Sequence, residues 1–355
     1  MKISGLILSA LALSLSATAQ YQFTDLIDIE RSEIKNQERT GTCWSFATSS
    51  FLESEIMRIH GEMVDLSEMY NVRKIYEDKA WNYVMRQGKA NFSQGALAHD
   101  VLRCVDMHGL VPQSAYAGLP PTDDMLNHSE LVASAKGFLD GVLKSGSPSI
   151  HWKSALNGIL DVYMEEDLES FTFEGKDYTP ESFAKKMKIN PEDYRHFTSF
   201  THHPFQDEFI LEIPDNYSNG SFENLPLDEF MKVVDKALKK GFTIAWDGDV
   251  SEKGFSSKNG IAILPANPDR EDLFETPGEE LEVSQASRQA NFEDFTTTDD
   301  HLMHVVGMAK DQDGTVYYII KNSWGDRGPY SGYLYMSAAY FKMKTVAITL
   351  HKDAL

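Results

Sequence analysis

Residues 37–47 read QERTGTCWSFA and carry Cys43, one of only two cysteines in 355 residues. The run continues to Gly61 as TSSFLESEIMRIHG, with Phe46, Phe51, Ile56 and Ile59 at roughly helical spacing. That pattern predicts a buried helix beginning at or just before Cys43 and stopped by Gly61. A thiol at a helix start meets positive potential and free backbone N–H groups, the setting that lowers a thiol pKa. A cysteine is also a small apolar core residue, so the choice depends on what else the chain supplies. Gln37, six positions upstream, supplies a donor amide that can share an oxyanion with the Cys43 backbone N–H.

Working outward, the composition is that of a globular chain, with 42% hydrophobic, 11% aromatic and 25% charged residues. Its length suits one large two-lobed unit or two domains. A net charge of −21 repels phosphate backbones and anionic lipid heads, which argues against nucleic-acid and membrane partners. The N-terminus has Lys2, an apolar run from Leu6 to Leu15 and Ala17-Thr18-Ala19. This reads as a secretory signal peptide over 1–19, cut after Ala19, and implies a periplasmic or secreted protein. Cys43 and Cys104 make a poor disulfide framework, and both are read as free thiols. Cys104, flanked by Val101, Leu102 and Val105, reads as a buried structural thiol.

Residues 20–355 are read as one domain in three parts. About 20–112 is a helical part holding the cysteine, opening on a polar lead-in from Gln20 to Asn36. About 113–200 is a helical insertion, and about 201–355 a β-rich part. The stretch from Asp65 to Gly88 suggests a pair of helices. FILEIPDN suggests a strand, NLPLDEFMKVVDKALKKG a helix ending at Gly241, and FTIAWDGDV a buried strand. Residues 264–299 are acidic and irregular and suggest a surface loop. From His301 to Gly325 two β-rich runs flank Asp313-Gly314, a hairpin signal.

That hairpin holds the second half of the chemistry. Asp300-His301 opens one arm, and Asn322-Ser323-Trp324-Gly325 closes the other. An Asn amide oxygen can accept from an imidazole N–H and orient the ring as the third group of a triad. His301 and His304 point to opposite faces of their strand. A two- or four-residue hairpin loop sets His301 on the face of Asn322; a three-residue loop with a bulge sets His304 there.

Gln37, CWSFA at 43–47, LSE at 66–68, the D-H-x-x-x-x-V-G run from Asp300 to Gly307 and KNSWG from Lys321 together resemble papain-like cysteine peptidases. NQERTGTCWSFA, HGLVPQSAY, YTPESFA, NLPLDEFMKVV and FTIAWDGDV resemble the bleomycin hydrolase and bacterial aminopeptidase C branch. The resemblance implies an α+β, two-lobed papain-like fold with a cleft between a helical and a β-rich lobe. It implies Cys43 as nucleophile, His301 as base and acid, Asn322 as orienter and Gln37 as oxyanion donor. Trp324 would cover the His–Asn pair, and the substrate-backbone position falls at Gly95 and Ala96. The implied partner is a peptide, with no cofactor, and a homo-oligomer is left open. The branch anchors the substrate amino group with a C-terminal arm, whereas here TVAITL is followed by HKDAL. An endopeptidase or dipeptidase mode therefore competes with aminopeptidase action.

Other chemistries are weaker. His202, His203, His196 and Asp207 form no recognised ligand spacing, so no metal is expected. No G-x-S-x-G frame points to serine hydrolysis. A non-catalytic binding protein on the same fold is the alternative of another class, disfavoured because all four catalytic positions hold competent residue types.

Overall fold

The computed structural model describes residues 20–355, so the signal segment read at 1–19 lies outside the described residues. The helical part holds α1 (Cys43–His60), α2 (Glu68–Met85) and α3 (Ala98–His108), then α4 (Ser129–Lys144), α5 (Trp152–Met164) and α6 (Pro180–Met187). The remaining helices are α7 (Leu227–Lys239), α8 (Gln285–Glu293) and α9 (Ala338–Lys344). Strand β1 (Thr24–Asp28) precedes α1, and a small hairpin, β2 (Phe171–Phe173) and β3 (Lys176–Tyr178), precedes α6. Then come β4 (Tyr194–Thr198), β5 (Glu208–Ile210), β6 (Ser221–Asn224), β7 (Ile244–Gly248), β8 (Phe255–Ser256) and β9 (Ile261–Ala262). The last four are β10 (His301–Lys310), β11 (Val316–Lys321), β12 (Tyr333–Ser337) and β13 (Thr345–His351).

Apart from β2 and β3, these strands join one mixed sheet in the order β5-β6-β4-β13-β7-β10-β11-β12-β9-β8, with β1 on β10. The architecture is the α+β, two-lobed arrangement expected. One core, with Trp44, Phe51, Tyr76 and Phe183, lies among α1–α6. A second, with Trp246, Phe230 and Phe341, lies between the sheet and α7 and α9. Helix α1 runs between them: every residue from Cys43 to Met57 is buried, because helices cover one side and β10 the other. Ser50 Oγ lies 2.9 Å from His304 Nδ1 on β10.

Five local expectations are corrected. Within residues 65–88 there is one helix, α2, capped by Ser67, whose side chain accepts from Tyr70 N. Buried polar residues break its apolar rhythm. Arg73 reaches Glu165 O at 2.8 Å and Asp161 at 2.6 Å, and Lys79 reaches Gly95 O. The irregular segment 264–299 contains α8. Its buried Arg288 donates from Nε to Ser199 O at 2.8 Å and from Nη1 to Lys342 O at 2.9 Å, so a polar residue fills the place an apolar stripe would mark. The polar lead-in holds β1, next to Phe23, which stacks on Tyr335 with ring centroids 3.8 Å apart. The 113–200 segment is helical as expected through α4–α6, but its end supplies β4 to the main sheet. FILEIPDN is a strand only as far as Ile210, because Pro214 follows and the chain turns.

Candidate active site

Cys43 is the first residue of α1. Thr42 precedes it with a non-helical backbone, and Thr42 O accepts the first N–H bonds, from Ser45 at 2.9 Å and Phe46 at 3.3 Å. Burial pushes the Cys43 thiol up to about 12, and the Asp299 and Asp247 carboxyls push the same way. The Leu302 and Trp44 backbone N–H groups pull against this by donating toward Sγ.

The hairpin of β10 and β11 brings up the imidazole. Its loop has three residues, 312–314, closed by Asp311 N–H donating to Thr315 O at 3.1 Å. That loop alone would set Asn322 opposite His304. A bulge intervenes at Val306: Gly307 pairs with Ile319, yet Val305 pairs with Ile320. His304 then faces Lys321, and Asn322 continues toward Met303, on the face of His301. His301 Nε2 lies 2.8 Å from Asn322 Oδ1. His304 points into the α1 interface instead, where burial and the Lys321 and Arg31 charges hold its pKa well below the usual range.

His301 is only 3% exposed and Asn322 5%. The Trp324 ring stacks on the imidazole at 4.6 Å and 30° and closes it from water. Burial pushes the His301 pKa down to about 4, against the upward pull of the Asn322 bond and the Asp300 charge. A lone imidazolium and a lone thiolate are thus both disfavoured here. A thiolate and an imidazolium formed together would each offset the other's charge.

Gln37 joins the same wall through backbone pairing. Gln37 N donates to Ser323 O at 2.8 Å, and Gly325 N to Lys35 O at 3.1 Å. Its amide is held at both ends: Nε2 donates to Thr40 O at 2.7 Å, and Oε1 accepts from Ser323 Oγ at 2.6 Å. The second Nε2 hydrogen remains for another acceptor. The 91–96 segment is tied to the helix start by Trp44 Nε1 donating to Gln94 O at 2.8 Å and Gly41 N to Gln94 Oε1 at 2.6 Å.

Gln37, Cys43, Gly95, Ala96, His301 and Trp324 line one cavity of about 760 Å³, with Asn322 behind His301. All seven residues singled out from the sequence converge there. Asp215 and Asp299 line it as well and were not singled out. Asp299 adjoins the Asp300-His301 pair, a signal that was present; Asp215 arrives from a distant loop with no local signal. Of the four residues weighed for a metal in the sequence, His202 and His203 lie together beside Glu212, their ligand atoms within 4.8 Å of one another. His202 and His203 both bond Glu212, at 3.1 and 2.8 Å, while His196 is buried against Thr349 at 2.8 Å. Cys104 lies in the helical core.

Comparison with known proteins fits this geometry. Residues 161–355 match the Peptidase C1-like family, and residues 24–114 the papain family of cysteine proteases. Aminopeptidase G of Lactobacillus delbrueckii subsp. lactis is 24% identical over 370 residues, spanning 92% of this chain and 83% of that protein. Bleomycin hydrolase of Homo sapiens is 24% identical over 380 residues, spanning 91% and 81%. The crystal structure of PepW from Lactobacillus rhamnosis shares the fold, with a TM-score of 0.75 at 20% identity over 94% of this chain and 82% of that one.

Proposed function

The chain belongs to the Peptidase C1-like family and is a papain-like cysteine peptidase, and from that premise we propose that it is an exported, aminopeptidase-type hydrolase working through Cys43, His301, Asn322 and Gln37. The observation that carries the reading is one cavity wall holding Cys43 at a helix N-terminus and His301 bonded to Asn322 at 2.8 Å. His301, held by its Nε2 bond, presents Nδ1 to take the Cys43 proton. The thiolate attacks the scissile carbonyl carbon, and the C=O electron pair moves onto oxygen. That oxyanion accepts from the free Gln37 Nε2 hydrogen and the Cys43 backbone N–H. Collapse breaks the C–N bond, the imidazolium gives its proton to the leaving amine, and a thioester remains. Water, deprotonated by His301, then hydrolyses the thioester, releasing the acid and restoring the thiol.

Aminopeptidase action is supported by the relatives named aminopeptidases C, E and G. Export is supported by Lys2, the Leu6–Leu15 run and Ala17-Thr18-Ala19. The test is hydrolysis of alanyl-7-amido-4-methylcoumarin by purified wild-type protein and Cys43→Ser. Turnover in the wild type and none in the variant is expected. Equal turnover in both would overturn the assignment.

A further inference from the structure

The turn after β4 brings two imidazoles to one carboxylate. His202 and His203 follow one another in that turn, and Glu212 lies just past the end of β5. His202 donates its Nε2–H to Glu212 Oε2 at 3.1 Å, and His203 donates its Nε2–H to Glu212 Oε1 at 2.8 Å. The three ligand atoms all lie within 4.8 Å of one another. His196 and Asp207 stand outside this group, and Glu212, nine residues beyond His203, completes it. Among the described residues no lysine or arginine pairs with Glu212. The three side chains are 25%, 36% and 56% exposed, so an ion reaches them from solvent.

The framework beneath them is built before any ion arrives. Buried Asn224 donates from Nδ2 to Phe200 O at 2.8 Å, His203 O at 3.0 Å and Pro204 O at 3.1 Å, and its Oδ1 accepts from Phe200 N at 2.9 Å. His203 stacks on Phe209 at 4.2 Å and 22°, and His202 on Phe292 at 5.8 Å and 15°. On the other side Asn216 Nδ2 donates to Leu211 O, next to Glu212, at 2.9 Å. Ligands already held in place lose less freedom on binding. Two imidazoles and a carboxylate suit a zinc-class dication, whereas calcium and magnesium take oxygen ligands. Zinc–ligand bonds of about 2.0–2.2 Å set neighbouring ligands of a tetrahedral site roughly 3.4 Å apart, close to the two N···O separations here. The ion takes the place of the two Nε2 hydrogens, and each neutral ring keeps its proton on Nδ1. For His202 that edge faces the Gln289 amide at 3.1 Å, which turns over to present its oxygen.

We propose that His202, His203 and Glu212 form a zinc-class metal site, with water completing the coordination. The ion ties the turn after β4 to the loop that follows β5, and that loop carries Asp215 to the catalytic cavity. His202 and Glu212 also line a cavity of about 450 Å³ that includes Asp299, a wall of the catalytic cavity as well. The site stands whether or not Cys43 is the nucleophile. Zinc is also taken up by a thiol beside an imidazole, so the test uses the Cys43→Ser protein. Zinc chloride and calcium chloride are the probes, read by titration calorimetry and thermal unfolding. One zinc per chain should bind, calcium should not bind at the same concentration, and zinc should raise Tm. His202→Ala, His203→Ala and Glu212→Gln, each added to Cys43→Ser, should weaken zinc binding at least about 10-fold, since even a lost second-shell partner costs about 10–100-fold. They should also abolish the rise in Tm. No saturable zinc binding by the Cys43→Ser protein would overturn the proposal. So would zinc binding undiminished by these substitutions, or calcium bound as tightly as zinc.

Discussion

Replacing Asn322 with alanine removes a group that acts on the imidazole without touching substrate, and with it the acceptor of the Ser323 N–H at 2.7 Å. Asn322 Oδ1 accepts from His301 Nε2 at 2.8 Å, and Trp324 stacks over the ring at 4.6 Å. With His301 only 3% exposed, water cannot take the lost acceptor's place. In the resting neutral ring the bond contributes about 1 kcal/mol, and once the ring is charged about 1.5–3 kcal/mol. The larger figure applies when the proton has left Cys43, so kcat/KM should fall by about 10- to 150-fold, mostly in kcat. The Asn322 bond raises the His301 pKa, so its removal disfavours the imidazolium. The alkaline limb of the pH–rate profile, where the imidazolium loses its proton, should move to lower pH. The assay is kcat and KM from pH 5 to 10 with thermal unfolding as a fold check. A well-folded variant with kcat/KM within twofold of wild type, or an alkaline limb moved upward, would refute the reasoning.

Gln37→Ala should lower kcat by about 10²- to 10³-fold with little change in KM, because its amide is fixed by Thr40 O and Ser323 Oγ to serve developing charge; steady-state kinetics read the split. Asp299→Asn should stabilise the protein at pH 8 and do little at pH 4.5. The folded carboxyl holds its proton to about 7 against an ordinary 3.8, so its unfavourable contribution grows as pH rises between those values. It reaches on the order of 2–4 kcal/mol above them. Melting temperatures of both proteins at the two pH values check this, and a stabilisation larger at pH 4.5 would contradict it.

Cys43 and its helix could be read because the apolar spacing and Gly61 are local signals. So could the Asp313-Gly314 turn, whose Gly314 takes a left-handed φ of 88°. The partnership of His301 with Asn322 depends on the extra residue at Val306, and a bulge leaves no mark in side-chain alternation until its partner strand is known. The run of α2 was masked by Arg73, Lys74 and Lys79, polar residues buried against partners far along the chain. Asp215 was invisible for the same reason, since only folding brings its loop over Gly95.

The most direct test of the central claim uses the two thiols as each other's control. Burial pushes both Cys43 and Cys104 to about 12, so acidity alone would leave both silent at pH 7.5. Of the two, Cys43 alone shares a cavity with the His301 imidazole, the base proposed to take its proton. Iodoacetamide labelling of the folded protein, read by mass spectrometry, should modify Cys43 at least about 100-fold faster than Cys104. His301→Ala should bring that rate down toward the Cys104 level. Equal labelling of the two cysteines, or a Cys43 rate unchanged in His301→Ala, would contradict the account.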